Sequence, residues 1–259
     1  VTVSTTIFPA GLTATRQGPV FRDAAFDGRT CIEYMPDGTL LDIRDDKAIN
    51  VAFLNPAMPE NQEWALRFIR EILSKYRFDG YALDYCRYPG ATADFSEFSR
   101  REFERFLGHA VERFPEDIFT YDEEGNRIPG KYYKPWWEYR AKVVRDFIAR
   151  VRAAVDELQP DVRLEYWAGS WLHAIYANGQ NWGSPPLDIL GRIPRHVGHA
   201  RVQGGRLRRP ARRLHHGNLP RTRLGRRRQR VDRVRAQPLA ARRGGRLHGL
   251  RIALRAESP

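Results

Sequence analysis

Three runs of polar and aromatic residues stand at or near the ends of strand-like segments, where chemistry is usually done in parallel α/β folds. Asn55-Pro56 follows residues 51–54, Asp84-Tyr85-Cys86-Arg87-Tyr88-Pro89 follows residues 78–83, and Glu165-Tyr166-Trp167 runs on to Ser170-Trp171. Two carboxylates on successive strand ends, Asp84 and Glu165, with aromatic rings and an Arg nearby, suit glycoside hydrolysis. One acid attacks the anomeric carbon or stabilises its positive charge, and the other shuttles the proton. Each acid also has a plainer reading: Asp84 as the cap of the next turn, Glu165 as a surface partner of Arg163 or Lys142. Trp171 and Trp182, in the loop after that strand, offer faces for a sugar ring, Trp167 stands near the strand's end as a further substrate contact, and His173 offers a polar one, although Trp171, Trp182 and His173 could equally pack the loop. Trp136 and Trp137 read as core.

The elements that must hold these residues alternate. Residues 3–8 and 51–54 are short and β-rich. Pro59 opens a helical pattern in which Ala65, Phe68, Ile69, Ile72, Leu73 and Tyr76 share one face, with Glu60 and Glu63 in the first turn. Residues 78–84 read as a buried strand, and Ser99 with Glu102 as a capping box for a helix to about Gly108. A long helix is predicted over 135–158, with the stripe Val144, Phe147, Ile148, Val151, Val155 and Leu158, ended by Pro160. Residues 162–168 form the next strand. Strand, helix, strand, helix in this order implies parallel βαβ units, hence an α/β sheet or barrel.

Several function classes are disfavoured. No GxGxxG or GxxxxGKS loop follows a strand, which weighs against nucleotide chemistry, and no GxSxG elbow supports an α/β-hydrolase. The two cysteines, Cys31 and Cys86, cannot make a disulfide scaffold. No zinc-finger spacing or EF-hand-like loop occurs, so no metal and no cofactor is expected. No stretch is apolar over the roughly 18 residues a membrane span needs. No basic-then-apolar leader opens the chain at Val1.

The net charge of +13 belongs to one end of the chain. Residues 191–259 hold 21 Arg and no Lys against Asp232 and Glu257, a net of +19, leaving −6 for residues 1–190. No aromatic residue lies beyond 190. Such a tail reads as an Arg arm for nucleic acid, as a disordered solvated segment, or, the reading preferred here, as a GC-rich gene translated out of frame. A permitted codon assignment for residues 205–220, shifted by one nucleotide, reads A-G-F-A-D-Q-L-D-A-F-I-T-G-T-Y-L, which is strand-like and restores aromatics. Specific nucleic-acid binding is not expected, because the acidic residues 1–190 supply no basic face; salt-sensitive nonspecific binding by the tail is.

The run Phe53-Leu54-Asn55-Pro56-Ala57, then a helix, then Tyr76-Arg77-Phe78-Asp79-Gly80-Tyr81-Ala82-Leu83-Asp84-Tyr85-Cys86-Arg87-Tyr88-Pro89, resembles the core motif of the glycosyl hydrolase-like 10 proteins. The resemblance spans about residues 40–185. It implies a (β/α)8 barrel of the α-amylase type acting on an oligo- or polysaccharide. Asp84 would be nucleophile or charge stabiliser, Glu165 the proton donor, and Asn55, Arg87 and Tyr88 positioners of substrate or carboxylate. It also fits an extracytoplasmic location. A barrel needs about 250 residues, so residues 1–190 are expected to form an incomplete one, followed by the Arg-rich tail at 191–259. A half-barrel would bare strand edges and an apolar face, making the chain poorly soluble and inactive. A glycan-binding barrel without catalysis is the second reading.

Overall fold

A computed structural model describes residues 1–169, 172–182 and 251–255, with the backbone alone for 172–174 and 251–255. Strand β1 (Thr2–Thr6) is followed by β2 (Pro9–Leu12), a short helix α1 (Pro19–Arg22), β3 (Ile32–Tyr34), β4 (Leu40–Asp42) and β5 (Val51–Phe53). Helix α2 (Pro59–Lys75) leads to β6 (Gly80–Asp84), and α3 (Glu97–Leu107), the hairpin β7 (Phe119–Tyr121) and β8 (Arg127–Pro129), and α4 (Tyr133–Leu158) lead to β9 (Arg163–Gly169). Helix α5 (Leu172–Ala177) and strand β10 (Arg251–Arg255) complete the described elements. These residues belong to one compact unit; a second unit, Leu207–His248, lies outside the described residues.

The chain has an α/β fold. Its main sheet has the order β1-β6-β9-β10, every pair parallel. Alternation along the strands sorts the side chains into two faces. Tyr81, Leu83, Leu164 and Tyr166 point to one face and are buried beneath α2 and α4, in a core with Leu66, Ile69, Leu73, Val144, Phe147 and Val151. Pro59 at the start of α2, Glu60 in its first turn and Lys75 in its last match the helix dipole. A second, aromatic core under α3 and the first half of α4 buries Phe95, Phe103, Phe119, Trp136 and Trp137. Trp136 stacks on Phe95 at 5.1 Å and meets Phe103 edge-on at 4.9 Å. Both tryptophans are therefore core residues, as expected.

Four expectations change. Residues 51–53 are not a strand of the parallel sheet: they pair antiparallel with β2 in a separate two-stranded sheet. The cap of α3 is Ser96, whose side chain accepts from the Ser99 N–H, and Ser99 lies inside the helix. The face of the sheet opposite the helices is not a bare apolar surface among the described residues. It carries exposed Thr2, Ser4 and Thr6, with half-buried Asp84, Glu165 and Trp167. Finally, Arg251–Arg255 is a strand paired with β9, so the expectation of a disordered tail gives way there. The rest of that expectation, with the frame shift, falls outside the described residues. So does closure into a barrel; the described residues form a sheet of four parallel strands.

Candidate functional site

Strand β6 lies between β1 and β9, and its last residue is Asp84. The strand ends there because Tyr85 takes a left-handed backbone, φ 48°, a conformation costly for a non-glycine residue and concentrated at functional sites. The turn brings the Tyr85 N–H to Asp84 Oδ1 at 2.9 Å. The contact is to the next residue, not to the N–H two or three residues on that a capping Asp would accept, and it engages one oxygen. Asp84 forms no ion pair among the described residues and remains half-exposed, with acceptor capacity to spare.

Around Asp84 the surface is concave. A cleft of about 600 Å³ is lined by Asp84, Thr6, Pro9, Trp64 and Phe68 among others. A second, of about 550 Å³, shares Thr6, Pro9 and Trp64 and adds Tyr85. The Arg87 guanidinium lies over the Tyr85 ring at 4.6 Å and donates to the Tyr88 carbonyl at 3.2 Å. Asp84, Tyr85 and Arg87 thus stand together at the carboxyl end of the sheet. Trp64 was not singled out from the sequence, although a signal existed: it stands four residues before Phe68, which was expected on the core face but is exposed at the cleft.

The pairing of β6 with β9 runs Gly80↔Arg163 to Leu83↔Tyr166, and Trp167 and Asp84 each follow its last pair, on the same face of the sheet. Glu165 shares that face but pairs with Ala82. Its Oε1 lies 3.5 Å from Arg163 Nε and 3.2 Å from where a Gly80 side chain would begin, toward the amino ends of the strands. The structure therefore does not bring Glu165 to Asp84, and its partner is Arg163, one of the two weighed from the sequence. A polar turn ties the ends of β6 and β9 together. Tyr166 Oη donates to the Cys86 carbonyl at 2.9 Å, Gln180 Nε2 donates to Tyr166 Oη at 3.2 Å, and the Tyr88 N–H donates to the Asn178 carbonyl at 3.0 Å.

Two residues expected at the substrate are not exposed to it. Asn55 is fully buried; its Nδ2 donates to Asp94 Oδ2 at 2.6 Å and to Ser99 Oγ at 3.1 Å, and its Oδ1 accepts from the Ala57 N–H at 2.9 Å. It positions a carboxylate, but the carboxylate is Asp94. Tyr88 is 1% exposed and lies beneath Arg140, whose guanidinium is 4.2 Å from its ring. Arg140, fully buried in α4, donates to the carbonyls of Gly90 and Ala93, which fixes the loop that carries Arg87. Burial lowers the Arg140 pKa to about 10, so it remains a cation at neutral pH. Trp171 lies outside the described residues, and His173 falls in α5, whose side chain there is not described.

No group of three or more His, Cys, Asp or Glu that could hold a metal occurs among the described residues. None of their helices is long and apolar enough to cross a membrane.

Comparison with known proteins adds the following. The sequence model of the family described as Glycosyl hydrolase-like 10 matches residues 36–184. An S-layer-related protein of Niallia circulans is 37% identical over 142 residues, 52% of this chain and 9% of that protein. The chain thus spans under a tenth of that relative's length. Among solved structures, the PgaB (BpsB) glycoside hydrolase domain from Bordetella bronchiseptica aligns with a TM-score of 0.44 and 16% identity, over 59% of this chain and 40% of that one.

Proposed function

The chain belongs to the glycosyl hydrolase-like 10 family, and from that premise we propose that its sheet is part of a (β/α)8 barrel that hydrolyses a poly- or oligosaccharide with Asp84 as the reacting carboxylate. The observation that carries the proposal is Asp84's own surroundings: a strand-end carboxylate that borders a cleft, with a strained residue after it and no cation paired with it among the described residues. Such a group can attack an anomeric carbon or stabilise the charge that develops there. Arg87 and Tyr85 stand beside it to orient a sugar, and Trp64 lines the same cleft. Glu165, held by Arg163 below the strand end, is supported less well as proton donor than the sequence alone suggested.

The eight strands of a barrel exceed the four described. We place the remaining sequence in the reading frame that a one-nucleotide shift near residues 187–200 would restore. The test compares the chain as given with a version whose frame is restored, incubating each with a panel of soluble polysaccharides in ¹⁸O-water. Hydrolysis by the restored version, with label entering the new reducing end, is the expected result. Binding without any new reducing end would favour the glycan-binding reading, and neither binding nor cleavage would remove both.

A further inference from the structure

Tyr85 takes its left-handed backbone, φ 48°, immediately after Asp84. Glycine or asparagine holds such a turn more easily, because a Cβ in this region crowds the following carbonyl. The turn therefore does not call for a tyrosine, and what the tyrosine adds is its ring. That ring is fixed by Phe53 of β5, with centroids 5.9 Å apart, and by the Arg87 guanidinium at 4.6 Å. It lines the cleft of about 550 Å³ that adjoins the one at Asp84. The two clefts share Thr6, Pro9 and Trp64, so a sugar seated in the second lies next to a sugar at Asp84. Their chemistry differs. Tyr85 and Trp64 give the second cleft two rings, with Pro9, Leu12 and Val51 around them, and no charged side chain lines it. Besides the Tyr85 hydroxyl, its polar side chains are Thr6 and Gln17, both exposed.

We propose that this second cleft is a subsite for an acylated sugar, bearing an O-acyl ester or an N-acyl amide, and that Tyr85 is the residue that selects it. A sugar carrying hydroxyls alone would bury several of them against this lining without partners, and each such burial is unfavourable. An acyl group instead turns its methyl to the two rings and Val51, and needs only one donor, for its carbonyl. Thr6 or Gln17 can supply that donor. Because Asp84 and Tyr85 are consecutive and the turn between them is fixed, an acyl group seated on the Tyr85 ring sets which sugar of the chain faces the Asp84 carboxylate. The inference rests on the assignment of Asp84 to a glycan site.

The test is calorimetric binding to the full, frame-restored chain carrying Asp84→Asn, so that no probe is consumed. Two pairs of probes separate the two linkages: O-acetylated xylo-oligosaccharides against the same mixture after alkaline deacetylation, and chitopentaose against cellopentaose, which has a hydroxyl where chitopentaose has an acetamide. The acylated member of at least one pair is expected to bind about 10-fold more tightly. Adding Tyr85→Gly should cut that preference to under about 3-fold while the affinity for the unacylated member changes by less than about 3-fold, a pattern that a loosened fold would not give. Tyr85→Phe should keep the preference, and Tyr85→Asn replaces Tyr85→Gly if the latter does not fold. No preference within either pair, binding of no probe at all, or a preference that survives loss of the ring would overturn the proposal. Acyl-selective binding without hydrolysis when Asp84 is intact would remove the catalytic reading and leave the subsite; hydrolysis without acyl preference would remove the subsite and leave the catalytic reading.

Discussion

Asp84 and Asp94 lie at opposite ends of one loop, and their carboxylates are used in opposite ways. Asp94 is fully buried and saturated: Oδ1 accepts from the Ile32 N–H at 2.6 Å, and Oδ2 from Asn55 Nδ2 at 2.6 Å, Ser99 Oγ at 2.6 Å and Ser96 Oγ at 2.5 Å. Burial still leaves its carboxyl above the ordinary range, with the serine hydrogen bonds pulling it back. Asp84 is half-exposed, accepts a single N–H from its own neighbour and borders a cleft. A carboxylate whose hydrogen bonds are all spent within the protein holds the chain together, whereas one with free acceptors at a strand end is available to a substrate.

The contrast can be broken most directly at its structural end. Asp94→Ala would leave the Ile32 N–H, the Asn55 amide and two serine hydroxyls without their acceptor, and should cost about 3–5 kcal/mol in a urea titration. A loss under about 1 kcal/mol would mean that Asp94 is no more structural than Asp84. Ser96→Ala removes both the cap of α3 and one of Asp94's donors, and is expected to lower stability by about 1–2 kcal/mol. An Ala variant as stable as wild type would show that the cap carries no weight. Asp84→Asn, which can still accept the Tyr85 N–H, should change stability by less than about 0.5 kcal/mol. A larger loss by thermal melt would place Asp84 among the structural acids.

Much of the scaffold is legible in the sequence because it follows local rules. Pro59 and the apolar stripe define α2, although Phe68 and Tyr76 of that stripe are exposed, Pro160 closes α4, and the apolar run read over 78–84 gives the end of β6 at Asp84 but starts two residues early. The hairpins β3/β4 and β7/β8 are only three residues per strand and carry too little pattern to be read. The site is legible in part. Asp84 and Arg87 follow from their place at a strand end, but the side-chain fates of Asn55 and Tyr88 depend on what the folded chain packs over them. Asn55 turns inward because Asp94, far along the sequence, needs its amide; Tyr88 is covered by Arg140 from α4. Arg140 was not singled out for the same reason: a buried polar group is explained by partners distant in sequence.

The most direct test of the contrast is to make Asp84→Asn and Asp94→Asn separately in the frame-restored chain and to measure oligosaccharide hydrolysis and melting temperature on each. The account predicts that Asp84→Asn loses at least about 1,000-fold in rate at an unchanged melting temperature, while Asp94→Asn melts lower. Full hydrolysis by a folded Asp84→Asn would contradict it.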